Sequence, residues 1–279
     1  FKQFPHKFDL PAHGIGVMGL QTWVNLCGVD FLCSLPDVDR ERLGATGASG
    51  GGTQSFILAA IDDRIKVSAP VNMVGEEHQG GCLCENAPGL RFGLNNVEIA
   101  AMTAPRSLLL VAATGDWTKN VPTIVAPMIE KVYQFHGIPE KFRAVQFDAP
   151  HNHNQDSRQA VYAWMVRWLQ NGPAQDKIAE PPVPVVKKEE LEVWTADHPL
   201  PKNAVDLEGL KKVLQDKVMA QAESLPAHPE LAPRYREALR FSMGVVPTPP
   251  PALWDSNPGF DAPTVLIVGP SFDPADPLV

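Results

Sequence analysis

No apolar run in the 279-residue sequence approaches the roughly 18 to 20 residues that a membrane helix needs, and no stretch has a leader's charged-then-apolar pattern. No membrane partner is expected. Basic residues are scarce as well: 24 Lys and Arg stand against 32 Asp and Glu, giving a net charge of -8 with no basic block. This balance argues against nucleic acid or an anionic membrane surface and suits a neutral or cationic partner. The four cysteines, Cys27, Cys33, Cys82 and Cys84, are too few for a disulfide scaffold in so long a chain and leave the redox compartment open. Cys82 and Cys84, even with His78 and Glu85 near them, lack the spacing of a zinc knuckle, so no metal is expected there. Buried thiols, or one disulfide formed after export, are expected instead. The run Gly14-Ile15-Gly16-Val17-Met18-Gly19 fits G-x-G-x-x-G, but no strand precedes it, and no Gly-Lys-Ser/Thr follows Gly50 to make a P-loop. No cofactor is expected. Repeats and low-complexity tracts are absent.

What remains is an ordinary globular composition, 44% hydrophobic and 20% charged, long enough for one large domain or two unequal ones. Pro181, Pro182 and Pro184 followed by the charged run Lys187 to Glu190 read as an exposed connector. The organisation expected is a catalytic domain at 1–174, a connector at 175–190 and a C-terminal extension at 191–279.

Within the first part, apolar residues at spacings of three and four (Val17, Leu20, Trp23, Val24, Cys27, Phe31, Leu32) predict a helix over 16–35, stopped by Pro36. A short strand over 42–46 enters the glycine-rich turn 47–52. A helix over 53–61 follows, apolar nearly all round and therefore buried. Alternation predicts a strand over 65–69 that stops at Pro70, and the run Leu108 to Ala112 predicts a strand over 107–113 buried on both faces. A helix over 123–135, a strand over 144–147 and an amphipathic helix over 157–169 complete the set. Strands alternating with helices mean an α/β fold with a mostly parallel sheet. Further on, Leu207, Leu210, Leu214, Val218 and Leu225 predict one helix, and 264–268 one strand.

Gly47-Ala48-Ser49-Gly50-Gly51 matches G-x-S-x-G and stands between a predicted strand and a predicted buried helix, the context this motif requires. Small residues on both sides let the serine backbone adopt a sharp turn without collisions, glycines at 47 and 51 being the ones expected to remove them. The hydroxyl is then presented at a helix N-terminus, and the Gly50 amide can face an oxyanion. A serine hydroxyl needs a histidine to take its proton, and the histidine needs a carboxylate to fix its tautomer. Asp116 directly follows the strand over 107–113, and His151 lies between the strand over 144–147 and the next helix, giving the order Ser, acid, His. His153 stays open as the base, and Asp148 or Asp156 as the acid. Trp117 is the aromatic expected near a substrate.

Leu35-Pro36-Asp37-Val38-Asp39, Gly47 to Gln54, Gln79-Gly80-Gly81-Cys82-Leu83-Cys84-Glu85-Asn86, Thr114-Gly115-Asp116-Trp117 and Pro150-His151-Asn152 together resemble the acetyl xylan esterase-like α/β-hydrolases over about residues 17 to 170. The resemblance implies an α/β-hydrolase fold and a serine carboxylesterase, with Ser49, Asp116 and His151 in the triad positions and Gly50 as an oxyanion donor. It implies acetyl esters of xylan or a related carbohydrate as substrate, and a bacterial, secreted or periplasmic protein. Such a fold places several strands and a second oxyanion loop ahead of its nucleophile, and these are not found before Ser49, so a truncated N-terminus is expected. His13-Gly14-Ile15-Gly16 looks superficially like a lipase oxyanion motif, but no strand lies between it and Arg42. Two other readings stand beside the esterase: a serine peptidase of the prolyl-oligopeptidase type, and a non-catalytic remnant acting as a binding or structural module.

Overall fold

The computed structural model describes residues 16–76, 82, 84–87, 90, 94–182, 184–224, 233 and 236. Residues 13–15, 77–81, 83, 225 and 264–268 lie outside the described residues, and the expectations placed on them go no further.

Helix α1 (Val17–Ser34) leads to strand β1 (Leu43–Ala48), helix α2 (Gly50–Ile61) and strand β2 (Ile65–Val71). A short helix α3 (Asn96–Ala101) precedes strand β3 (Ser107–Gly115), and helix α4 (Ala126–Phe135) precedes strand β4 (Phe142–Pro150). Helix α5 (Gln155–Leu169) closes this part, and helix α6 (Leu207–Ser224) lies beyond a long irregular segment. The four strands form one parallel sheet in the order β1-β2-β3-β4. Strands added one after another in one direction, with right-handed crossovers, send their connecting helices to the same face. The core follows that rule. Leu108, Leu110 and Ala112 of β3 pack with Phe56, Val97, Ile129 and Tyr133 from α2, α3 and α4, while Leu109 and Val111 face Val161 and Trp164 of α5. The uninterrupted apolar run of β3 thus serves two cores, each taking every second residue.

Three expectations are corrected by the chain's own chemistry. The strand expected to stop at Pro70 runs through it to Val71, with Pro70 opposite Gly47 of β1. Pairing with β3 falls on Val67, Ser68 and Val71 and passes over Pro70, which has no N–H to donate. The helix expected over 123–135 begins as one π turn, Val121–Val125, where Ala126 N–H donates to the Val121 carbonyl. Pro127 explains the change, because a regular α-helix would need its missing N–H to satisfy the carbonyl of Thr123. In α1, Val17, Met18, Gln21 and Val29 are buried, but Trp23 and Phe31 of the expected stripe are 62% and 63% exposed. Apolar residues lie on more than one side of this helix, and the side that packs is the one joined to α2, where Asn25 Nδ2 donates to Gln54 Oε1 at 2.8 Å.

The segment after α5 has little regular structure but is pinned to the sheet domain. Asp176 pairs with Arg143 at 2.8 Å, Lys177 with Asp156 at 2.6 Å, and Ile178 N–H donates to the Gln159 carbonyl at 3.1 Å. Glu180 takes both arms of the Arg158 guanidinium, at 2.7 and 2.6 Å, and accepts from the Tyr162 hydroxyl at 2.8 Å. These bonds hold its carboxyl down at about 2, Arg158 being the larger cause and Tyr162 the next. Because its folded value lies below the ordinary one of 4.5, the anchor is intact above that value and is lost as pH falls through about 2. Glu180→Gln should release the segment already at neutral pH. Hydrogen exchange at the Ile178 amide checks this, with faster exchange expected in the variant and, in the wild type, only as pH falls from 4.5 toward about 2.

Candidate active site

Ser49 occupies the single-residue junction between β1 and α2, with φ 56° and ψ -122°, a left-handed backbone that side chains other than glycine rarely adopt. Its N–H donates to the Val71 carbonyl at 3.0 Å, and its own carbonyl receives the first helical bond, from Thr53 N–H at 3.0 Å. The hydroxyl makes no capping bond to α2. Close backbone approach dictates the glycines around it. A Cβ on Gly47 would stand 2.6 Å from the carbonyl carbon of Gly51, and one on Gly52 would stand 2.8 Å from the Met73 Cβ. A Cβ on Gly51 would meet nothing within 4 Å. The expectation that 47 and 51 are the required pair is therefore half right: the crowded positions are 47 and 52, because Gly51 contributes backbone, and not side-chain space, to the turn. Gly47→Ala should cost at least about 1–3 kcal/mol, the usual range for overpacking. Urea unfolding checks this, with a lower midpoint expected and a Gly51→Ala variant as the milder comparison.

Asp116 follows the C-terminal end of β3, the edge at which such sheets present their sites. Its side chain is 2% exposed and fully engaged. Oδ1 accepts from Thr118 N–H at 2.7 Å and the Thr118 hydroxyl at 2.5 Å, and Oδ2 lies 2.8 Å from His151 Nδ1. A carboxylate at Nδ1 favours the tautomer with the proton there, leaving Nε2 as an acceptor. The Trp117 ring centroid lies 4.5 Å from that of His151, tilted by 36°, so the imidazole is held at its edge by the acid and flanked by the indole. Gly115 permits the contact: a Cβ there would stand 2.9 Å from the Ala149 carbonyl oxygen and from Pro150 Cα.

The alternatives left open by the sequence are separated by these contacts. Asp148 accepts from the Thr114 hydroxyl at 2.6 Å, and Asp156 pairs with Lys177 at 2.6 Å. His153 is exposed at the surface, and partial desolvation foremost, then the Arg158 charge, lowers its pKa below the usual imidazole range. The structure joins His151, not His153, to Asp116. Among the described residues no hydrogen bond joins the Ser49 hydroxyl to His151.

Comparison with known proteins finds hydrolases and esterases. No family model matches the sequence. The Bacillus subtilis (strain 168) protein "Putative hydrolase YtaP" is 27% identical over 165 residues, covering 54% of this chain and 54% of that protein. The solved structure of methylesterase BT1017 superposes with a TM-score of 0.58 at 29% identity, covering 74% of this chain and 48% of that one. The fold is that of the α/β-hydrolase esterases. A more distant likeness, with a TM-score of 0.46 at 17% identity, is to a glucuronoyl esterase of carbohydrate esterase family 15 from Caldicellulosiruptor kristjansonii, over 66% of this chain and 58% of that one. The chain spans about half the length of YtaP and of BT1017.

In this hydrolase fold two further features border the Ser49 bend. Cys82 and Cys84 form a disulfide, one of the two outcomes expected of them, and with their sulfurs joined they offer no thiolate to a metal. The buried Glu85 lies beside them, and a Cβ on Gly50 would meet its Oε1 at 3.7 Å and Cys84 Sγ at 3.8 Å. The residues that sequence reasoning missed are those that hold others in place: Thr118 under Asp116, Arg158 on the His153 carbonyl at 2.8 Å, and Asn72 on the Asn152 carbonyl at 2.8 Å. Only Thr118 has a local signal, since an Asp two residues before a Thr forms a side-chain turn with its backbone N–H.

Proposed function

We propose that the chain carries the reacting residues of a serine carboxylesterase, with Ser49 as nucleophile, His151 as base and Asp116 as its orienting acid. The observation that carries this reading is the 2.8 Å bond from His151 Nδ1 to a buried carboxylate at one strand end, with a left-handed serine at the start of α2 at another. The Ser49 oxygen attacks the ester carbonyl as His151 Nε2 takes its proton, and the Gly50 N–H donates to the oxygen that becomes negative. Collapse of this intermediate expels the alcohol, which receives the proton from His151. Water, deprotonated by the same imidazole, then attacks the acyl-enzyme and frees Ser49.

The substrate proposed is an ester of a carbohydrate. The sequence resemblance favours an acetyl ester on a sugar hydroxyl, and the methylesterase likeness favours a methyl ester, which on a carbohydrate is an ester of a sugar carboxylate. Both are cleaved at an acyl carbon by the same steps, and they differ in which side of the bond is the sugar. The Trp117 indole, beside the imidazole and partly exposed, offers a face on which a sugar ring can rest. A panel of acetylated xylan, a methyl hexuronate and a peptide anilide, assayed with the full chain, tests the proposal. Release of acetate or methanol with an inert anilide supports it. Cleavage of the anilide alone replaces it with the peptidase reading.

A further inference from the structure

Asn72 directly follows β2, is 1% exposed, and has φ 50°. Glycine and asparagine are the residues that tolerate such a backbone best, but only asparagine brings an amide to it. Its own bonds, with that of the residue before it, link β1, β2 and β3 to the loop after β4. Its backbone N–H donates to the Val111 carbonyl of β3 at 2.7 Å, and the carbonyl just before it, on Val71, receives the Ser49 N–H that ends β1. Its side-chain Nδ2 donates across 80 residues to the carbonyl of Asn152, in the loop after β4 and adjacent to His151.

That loop is braced internally, with Asn152 Oδ1 accepting from Asn154 N–H at 2.7 Å and Asn152 Nδ2 donating to the Pro150 carbonyl. Internal bonds fix its shape but not its place on the sheet. Beside the bond of the His151 ring to Asp116, the loop backbone is held from outside by Arg158, on the His153 carbonyl at the α5 side, and by Asn72, on the Asn152 carbonyl at the β2 side. Only Asn72 also touches the nucleophile's own support, since the Ser49 N–H rests on the peptide that joins Val71 to Asn72. The Asn72 Oδ1 is buried with no hydrogen-bond partner among the described residues, so the side chain contributes through one bond, from Nδ2.

We propose that Asn72 is a positioning residue for His151: it sets where the imidazole stands relative to Ser49, and so governs proton transfer without touching the substrate. The proposal rests on the assignment of Ser49, Asp116 and His151. Proton transfer from a hydroxyl depends steeply on heavy-atom separation, and displacement of a reacting group by an ångström costs on the order of a hundredfold.

The test uses the full chain as Asn72→Gly, which keeps the left-handed backbone and deletes the amide, and as Asn72→Asp, which keeps the shape but replaces the donor by an acceptor. With p-nitrophenyl acetate, and active sites counted by fluorophosphonate labelling, kcat per site should fall about tenfold to a hundredfold in both variants while KM moves less than about twofold. A second readout does not depend on turnover. The His151 Nδ1 proton, observed as a downfield proton resonance, should exchange with solvent at least about tenfold faster in both variants, because a loop released at Asn152 breathes about the Asp116 bond. Unchanged kcat per site, or an unchanged exchange rate, overturns the proposal. A silent Ser49→Ala beside fully active Asn72 variants would sink this inference alone, whereas turnover surviving in Ser49→Ala would remove the triad assignment and this inference with it.

Discussion

Ser49→Ala should lower the turnover of a carboxylic ester by about five to six orders of magnitude, the loss expected when the nucleophile of a triad that acts as a unit is deleted. The size follows from what the remaining groups can do alone. On the proposed mechanism, without the hydroxyl His151 has no proton to accept and no acyl-enzyme forms, and only substrate binding and the Gly50 amide still favour the transition state over water. Folding should be unaffected or improved. Ser49 holds a left-handed backbone whatever its side chain, and the bonds that fix it run through its N–H and carbonyl, not its hydroxyl. Steady-state kinetics with p-nitrophenyl acetate, with circular dichroism as the folding control, measures both. A fluorophosphonate should label the wild type and leave this variant untouched. A residual rate within tenfold of wild type would mean that another side chain performs the attack.

Asp116→Asn should cost about 10⁴ in kcat, by a different route. The substitution changes neither size nor shape, and its amide oxygen can still accept both bonds from Thr118. The atom facing His151 becomes an N–H donor, so Nδ1 must accept, and the ring proton moves to Nε2, where it blocks removal of the serine proton. Stability should change little while kcat collapses, a division that separates this role from a structural one. Raising the pH should restore only a small part of the rate. Asp148→Asn, by contrast, removes a carboxylate that serves Thr114 and should leave kcat within about threefold of wild type.

The extent to which the sequence revealed this molecule varied with the range of the interaction concerned. Local patterns carried the elements: the run Leu108 to Ala112 marked β3, and α5 was marked by its apolar spacing, although its start at Gln155 is set by Asn154, whose side chain accepts from Ser157 N–H. The same kind of signal was present for α3 and was passed over, since Asn95 and Glu98 form a capping box across Asn95-Asn96-Val97-Glu98. The positions of Ser49, Asp116 and His151 were legible because a sharp strand-to-helix turn and two strand ends leave marks within a few residues. The contacts that arrange them were not. Whether Asp116 or Asp148 meets His151 depends on which way each side chain leaves its strand end, and Asn72 meets Asn152 only because β2 and β4 end on the same rim. Pro70 misled for a related reason, as a residue without an N–H is tolerated wherever the neighbouring strand asks nothing of it.

The bonds of Asp176, Lys177, Ile178 and Glu180 to β4 and α5 have a practical corollary for anyone trimming this molecule. A fragment that keeps all of these bonds has to extend past Glu180. Ending it at residue 174, where the composition invites a cut, would leave Arg158 without its carboxylate, and the guanidinium that clasps the carbonyl two residues beyond the imidazole would keep that bond alone to fix it.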